Sequence, residues 1–453
     1  MASVTTDEWQ AFCADHPGLR YLDAVVIDLC GNAIGKRLPV AQVPGILEKG
    51  TASCAAMQLV DVTGNTADPM GHGFSDGDPD GLARPVAGTL APVPWSGGRG
   101  AQVLCEMCDP ASGEPYWYEP RALLARVADR FSELGLTPVL ALELEFYLID
   151  RERGAMGEPL PAASPRTGRR EQEGQVLSLS KLDDFAPVLS EIEAACHAQH
   201  LPVTTMISEY GAGQFEINLA HGSDVLAAAD HGALLRRAVQ GAARDQGYDA
   251  TFMSKPFLGQ TGSGLHLHLS LLDAQGNIFD PARESGNERL GHAVAGLQAT
   301  MAEAMAIFAP NPNVYRRFEP DVFTPVTRDW GHNNRSVAFR LPMTTSGVQT
   351  RVEHRVSGAE ANPYLVTAAV LSGVHHGLSQ RLSPSEIASG NAGAEMDDTL
   401  PVTLWDALTA LRAAEVLPGY LGEKYCEIYA EVKDAEFASF REAISPREYE
   451  WYL

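Results

Sequence analysis

Acidic and imidazole side chains recur at every second position in several short stretches of this chain, with arginines beside them. The octapeptide "RVEHRVSG" (351–358) places Arg351, Glu353 and Arg355 at alternate positions. In an extended backbone both guanidinium groups and the carboxylate would share one face. "LELEFYLID" does the same with Glu143 and Glu145, among residues apolar enough to bury both faces of a strand. "SEYGAGQFEINL" carries Glu209 and, on the polar side of an alternating run, Glu216. "TGSGLHLHLS" opens with a glycine-rich loop containing Gly262 and continues with His266, His268 and Ser270 on one face. Two neighbouring carboxylates repel unless a cation lies between them, and burial sharpens the need. Arginine forks suit carboxylates and phosphates. "VYRRFEP" supplies Arg316 and Arg317, and "HNNRSVAFRLP" supplies Arg335 and Arg340, so the arginines of an acidic chain gather in its last third. Taken singly, each stretch also reads as a solvated strand or a hydrogen-bonded core histidine. Taken together they predict a site that binds hard cations and anions at once.

Strands must carry these residues, and the rest of the chain must hold the strands. "YLDAVVIDL" (21–29), "CAAMQLVDV" and "AQVLCEM" read as strands, "GNAIGKRLP" as a turn, and "GNTADPMGHGFSDGDPDG" as a long loop. "EPRALLARVADRFSELG" (119–135) begins an amphipathic helix and marks a boundary near 115. Helical patterns follow at 183–200, 223–246, 287–309, 363–381, 402–416 and 423–442. The expected class is α+β, a small β-rich domain over 1–115 and a larger one over 116–453.

Of the 453 residues 45% are hydrophobic and 20% charged, a globular composition. The net charge of -24, from 34 basic and 58 acidic side chains, disfavours nucleic acid and anionic membranes as partners. The polar start "MASVTTDEWQ" does not read as a signal peptide, and no apolar run is long enough to span a bilayer. Seven scattered cysteines fit reduced thiols of the cytoplasm, and Cys105–Cys108 lacks the second pair a zinc site needs. Neither a GK[ST] phosphate loop nor a GxGxxG unit occurs, so a nucleotide would be held in another manner.

These segments, in this order, resemble the glutamine synthetase family. The resemblance runs from "GNAIGK" (31–36), through Pro120–Arg121, to the terminal "EVKDAEFASFREAISPREYEWYL". It implies a β-grasp N-terminal domain over 1–115, packed in a ring against the next subunit's catalytic α+β domain, here 116–453. It implies two or more Mg²⁺ or Mn²⁺ ions per active site, with Glu145, Glu209 and Glu216 on one and Glu143, His266 and Glu353 on the other. Arg317 and Arg355 would hold glutamate, beside Gly262. Arg340 and Arg351 would hold the phosphates of ATP, Arg335 would stand near the transferred phosphoryl group, and His268 and Ser270 would line the nucleotide site. The family also implies a homo-oligomer, a dodecamer of two hexameric rings.

Departures from the family pattern bear on the acceptor. Glutamine-forming members cage ammonium between acids, one of them from a DGSS-type loop of the neighbouring subunit. Here "DVTGNTADPM" replaces that loop, with Asp61 the nearest carboxylate, and Phe323 stands where the second acid is expected. Glu319 and Asp321 lie at shifted positions, Thr261 replaces an asparagine, and "GNAGAEMDDTLP" lacks the tyrosine that many bacterial members adenylylate. With Trp330 in "DWGHNNR", these features resemble the branch of γ-glutamylpolyamine and γ-glutamylputrescine synthetases. The expected reaction is ATP-dependent ligation of glutamate to a polyamine, putrescine or a monoamine. Phe323 and Trp330 would bury the alkyl chain, and Asp61, Glu319 or Asp321 would serve as base. Glutamine synthesis from ammonium is the alternative. A silent structural homologue is the third reading, and it should have lost metal ligands.

Overall fold

A computed structural model describes residues 4–453, and the chain is built around two β-sheets. The first sheet has six strands among the described residues. Its strand Tyr21–Ile27 runs antiparallel to Ala33–Pro39 and parallel to the central strand Gly100–Cys108. Asp80–Pro85 and Thr51–Cys54 extend it beyond Gly100–Cys108, and Ala91–Val93 pairs at its side. The segment "GNAIGKRLP" is therefore not a turn but mostly the strand Ala33–Pro39. The turn is confined to residues 28–32, where the Asn32 N–H donates to Asp28 Oδ1 at 2.7 Å and Gly31 has φ +84°. Its glycines suggested a longer turn, but Arg37 sits directly opposite Asp23 and ties the hairpin with a 2.8 Å ion pair.

The second sheet has ten strands, in the order Trp330–His332, Phe339–Leu341, Val352–His354, Leu265–Asp273, Thr137–Arg153, Gln214–Leu219, Val203–Ser208, with three short strands at the sides. The long strand Thr137–Arg153 is its spine. Leu140, Leu142, Leu144, Phe146 and Leu148 point to one face and are buried. The helices Val225–Asp245, Gly286–Phe308 and Pro363–Gln380 contribute to the same core, and the first of them packs on this strand. Alternation then leaves Glu143 and Glu145 on the opposite face, which is the arrangement that makes a site. The predicted helix over 183–200 is two helices, Leu179–Asp184 and Ala186–Ala198. Pro187 near the start of the second has no N–H to carry a continuous ladder.

Arg121 ties the two parts together, 2.7 Å from Glu106 on the first sheet and 2.9 Å from Asp230 on a helix behind the second. No helix among the described residues is long and apolar enough to cross a membrane.

Candidate active site

Strand register assembles the site. Glu145 lies directly opposite Glu216, Glu143 opposite His266, and His268 opposite Glu353. Residues paired in this way have neighbouring Cβ atoms on one face. Glu209 joins them from the end of the neighbouring strand, where its N–H donates to the Gln214 carbonyl at 2.9 Å. Ligand atoms of Glu145, Glu209 and Glu216 all come within 4.8 Å of one another. So do those of Glu143, His268 and Glu353, and those of Glu143, Glu216 and His266. His268, assigned by resemblance to the nucleotide, makes the shortest histidine–carboxylate contact of the site, with Nε2 2.7 Å from Glu143. His266 stands centrally, 3.4 Å from Glu143, 3.9 Å from Glu145 and 4.0 Å from Glu353.

Electrostatics divide this face. Burial, then the charge of Glu209, raises the Glu145 carboxyl to about 8. Burial and the charges of Glu143, Glu145 and Glu209 push Glu216 well above the usual range. Burial also raises Glu209, against the opposing pull of the Tyr210 N–H, Arg335 and Arg355. Burial would raise Glu353 as well, but Arg355 and the two histidines outweigh it and hold it at about 2. In Glu143 burial is likewise outweighed, by the charge of His268 and the hydrogen bonds of both histidines. Burial and the nearby Arg355 lower His266. The first group fits a hard divalent cation, since oxygen donors converge there with no arginine or lysine ion pair among the described residues.

Arginines rim the other end. Glu353 accepts from Arg340 at 2.6 Å and from Arg355 at 2.5 Å. Arg340 also reaches Asn333 at 2.9 Å, and Arg351 Nε donates to His268 Nδ1 at 3.2 Å. Arg317 is buried and donates to the Val356 carbonyl at 3.2 Å. A side chain at position 262 would collide with Arg317, because a Cβ there would stand 2.5 Å from its Cγ. Gly262 thus makes room for the aliphatic stem of Arg317 beside the glycine-rich loop. The Nε–H groups of Arg317, Arg340 and Arg355 are buried with no partner among the described residues. Buried guanidinium donors without acceptors suit an anion that completes them. Ser270 shares the face of His266 and His268, farther along the strand and half-buried.

The opening octapeptide separates as its alternation predicted, with His354 on the opposite face. It is 1% exposed against Phe308 and Phe339, and burial lowers its pKa to about 3.

Loop residues are placed less simply. Arg335 is exposed, and its charge reaches Glu209. Phe323 is 51% exposed, whereas Trp330 is only 8% exposed. Trp330 belongs to the core and its Nε1–H donates to the Ser385 carbonyl at 2.8 Å, so the structure does not offer it to an alkyl chain. Glu319 is exposed with Lys255 3.9 Å away, and Asp321 accepts from Asn391 at 2.7 Å. Asp61 does not meet the acid cluster of its own chain. It closes its own turn, accepting from Thr63 and Asn65, and lines a 710 Å³ cavity beside Lys433 and Glu436. Although burial opposes it, those hydrogen bonds lower the Asp61 pKa, which weakens it as a base.

Sequence reasoning missed three residues. Gln214 Nε2 donates to the Gly262 carbonyl at 3.0 Å and fastens the glycine-rich loop to the acid strand. Tyr147 Oη donates to the Thr261 carbonyl at 2.6 Å from the same strand as Glu143 and Glu145. Both lie at alternate positions on polar strand faces, a signal that was present. Tyr210, next to Glu209, carried no such signal.

Residues 117–452 match the family model described as glutamine synthetase, catalytic domain. Over 452 residues the chain is 38% identical to the gamma-glutamylputrescine synthetase PuuA of Escherichia coli (strain K12), covering 100% of this chain and 95% of that protein. It is 31% identical to a glutamate–isopropylamine ligase of a Pseudomonas species, covering 84% of this chain and 83% of the relative. A solved GmaS/ADP complex is similar with a TM-score of 0.82 at 26% identity, covering 98% of each chain.

Proposed function

Because this chain belongs to the glutamine synthetase family of carbon–nitrogen ligases, we propose that it joins the γ-carboxylate of glutamate to an organic amine with ATP. A carboxylate is a poor electrophile, since its charge repels nucleophiles. Transfer of the γ-phosphoryl group of ATP to glutamate makes an acyl phosphate. The deprotonated amine nitrogen then attacks the carbonyl carbon, the carbon–nitrogen bond forms and inorganic phosphate leaves. Arg317 and Arg355 hold glutamate beside Gly262. Arg340 and Arg351 hold the phosphates, Arg335 faces the transferred group, and His268 and Ser270 line the nucleotide. Glu145, Glu209 and Glu216, and Glu143, Glu353 and a histidine, would hold Mg²⁺ or Mn²⁺, which when bound would neutralise charge on phosphate oxygens. Of the two histidines, His266 stands near Glu143, Glu145, Glu216 and Glu353, and His268 approaches Glu143 more closely.

The observation that carries this reading is an acid group without an arginine or lysine ion pair among the described residues, beside three buried guanidinium groups without full complements of acceptors. The organic acceptor rests on Phe323 in place of an acid and on two relatives named for amine substrates. Glu319 and Asp321 are the acids of this chain near Phe323 in sequence, and Asp61 would act only on a neighbouring subunit's site. That division fits a ring-shaped homo-oligomer, a dodecamer by family resemblance, in the cytoplasm where ATP and glutamate are supplied.

The test supplies ATP, Mg²⁺ and glutamate with equal concentrations of ammonium and putrescine, and weighs the product by mass spectrometry. γ-Glutamylputrescine is expected to dominate. Glutamine as the main product would make this a glutamine synthetase, and ATP left intact would make it a silent homologue.

A further inference from the structure

Two exposed aromatic rings stand together at the edge of the acid cluster. Tyr210 is 47% exposed and Phe323 is 51% exposed, and their ring centroids lie 5.8 Å apart at an interplanar angle of 38°. Large half-exposed apolar pairs are costly to leave in water, and they mark contact sites more often than scattered single residues do. Neither ring belongs to a core cluster of the described residues.

Both rings are held from behind. Tyr210 follows Glu209 in a tight connection between two strands, where the Gly211 N–H donates to Gln214 Oε1 at 2.9 Å. A Cβ on Gly211 would stand 1.9 Å from Tyr147 Oη, so the backbone beside Tyr210 lies hard against the acid strand. The Phe323 loop is pinned on both sides. The Asp321 N–H donates to the Gly393 carbonyl at 3.0 Å, the Asp321 carboxylate accepts from Asn391, and the Asp397 N–H donates to the Val326 carbonyl at 3.0 Å. The rings therefore stand on a restrained backbone and form an apolar wall that begins one residue from Glu209.

We propose that Tyr210 and Phe323 together form the subsite for the alkyl chain of the acceptor amine, with Tyr210 as a specificity-determining residue. This rests on the amine-ligase reading above. An aliphatic chain laid along the two rings loses apolar surface to water at each methylene. A chain held there has its reacting nitrogen close to the Glu209 end of the site. Ring faces also attract a cationic ammonium, which suits an amine arriving protonated. Ammonium shares that attraction but has no methylene to bury, so the dependence on chain length is what the wall adds.

The experiment measures kcat/KM along an unbranched primary amine series, from ammonium through methylamine to butylamine, with ATP and glutamate saturating. In the wild type kcat/KM should climb roughly fourfold for each buried methylene, the equivalent of about 0.8 kcal/mol. Tyr210→Ala and Phe323→Ala should flatten that climb, Tyr210→Phe should keep it, and KM for glutamate should hold in all three. Both side chains are half-exposed, so their truncation should spare the fold. A climb unchanged in both alanine variants overturns the subsite while leaving the amine-ligase reading standing. A rise in KM for ATP without a change in slope assigns the rings to the nucleotide and also overturns it. Ammonium as the best wild-type acceptor fails the reading and the subsite together.

Discussion

At one end of the acid face Glu145, Glu209 and Glu216 converge without an arginine ion pair among the described residues. At the other end Glu353 is gripped by Arg340 and Arg355, and Glu143 by two histidines. All five are glutamates on one sheet or at its margin, and burial presses on each of them. Yet the first three are pushed toward the neutral acid and the last two are held ionised. Residue type and burial do not decide the state of a carboxylate; the sign of its neighbours does. The first end is electrostatically incomplete and calls for a cation from outside. At the second, internal partners already balance the carboxylates, and the Nε–H groups of Arg340 and Arg355 stay open to anions.

The contrast breaks most severely at Glu353. Glu353→Ala leaves two buried guanidinium groups without their shared partner, a loss of about 3–5 kcal/mol when one side of a buried pair is removed. ADP release should fall by about 10²-fold or more, as when a preorganised charge is lost from an active site. Activity near that of the wild type would remove Glu353 from the site, and a thermal melt separates lost chemistry from lost fold.

Arg355→Ala should be milder and more selective. It takes one cation from Glu353 and leaves the other, and it removes a proposed contact with glutamate. The KM for glutamate should rise by about 30- to 1,000-fold, the equivalent of about 2–4 kcal/mol, with a smaller change for ATP. Glutamate dependence that does not move would place Arg355 outside the substrate site.

A buried acid remote from the cluster supplies the smallest effect and the control. Glu119 caps the helix Pro120–Glu133 and accepts from the Ala122 N–H at 2.6 Å. Burial, then the charge of Glu106, raises it from 4.5 to about 8. The folded state therefore binds more protons than the unfolded chain across that window. Its contribution is fully present below 4.5 and is lost as pH rises toward about 8. Glu119→Gln should flatten that part of the curve of melting temperature against pH. Added Mn²⁺ should leave the Glu119 contribution unchanged, because the neighbouring acid Glu106 is already paired with Arg121 at 2.7 Å. An identical curve in the variant would mean that Glu119 is ionised in spite of its burial.

How much was legible in the sequence follows from where each residue is carried. Glu143, Glu145, Glu216, His266, His268 and Glu353 lie on strands, where a period of two assigns each side chain to a face. Register then sets one strand's face beside the next, as in Glu145 opposite Glu216. That register depends on pairings distant in sequence, so alternation alone did not reveal how close His268 stands to Glu143. The loops were harder. Trp330 looked available to substrate, but a hydrogen bond to Ser385, 55 residues away, turns it into the core. Tyr210 had no periodic signal, because its position is set by the collision that Gly211 avoids with Tyr147. Ala33–Pro39 was obscured by Gly31 and Gly35, although only Gly31 lies in the turn.

The central claim is that Glu145, Glu209 and Glu216 hold a divalent cation in place of protons. Calorimetric titration of the nucleotide-free protein with Mn²⁺, near neutral pH in two buffers of different ionisation heat, tests it most directly. Binding should release about one proton or more, since ligands must deprotonate to coordinate, and the affinity should rise as pH approaches about 8, where Glu145 ionises. Binding with no proton release, or an affinity indifferent to pH over that range, would contradict it.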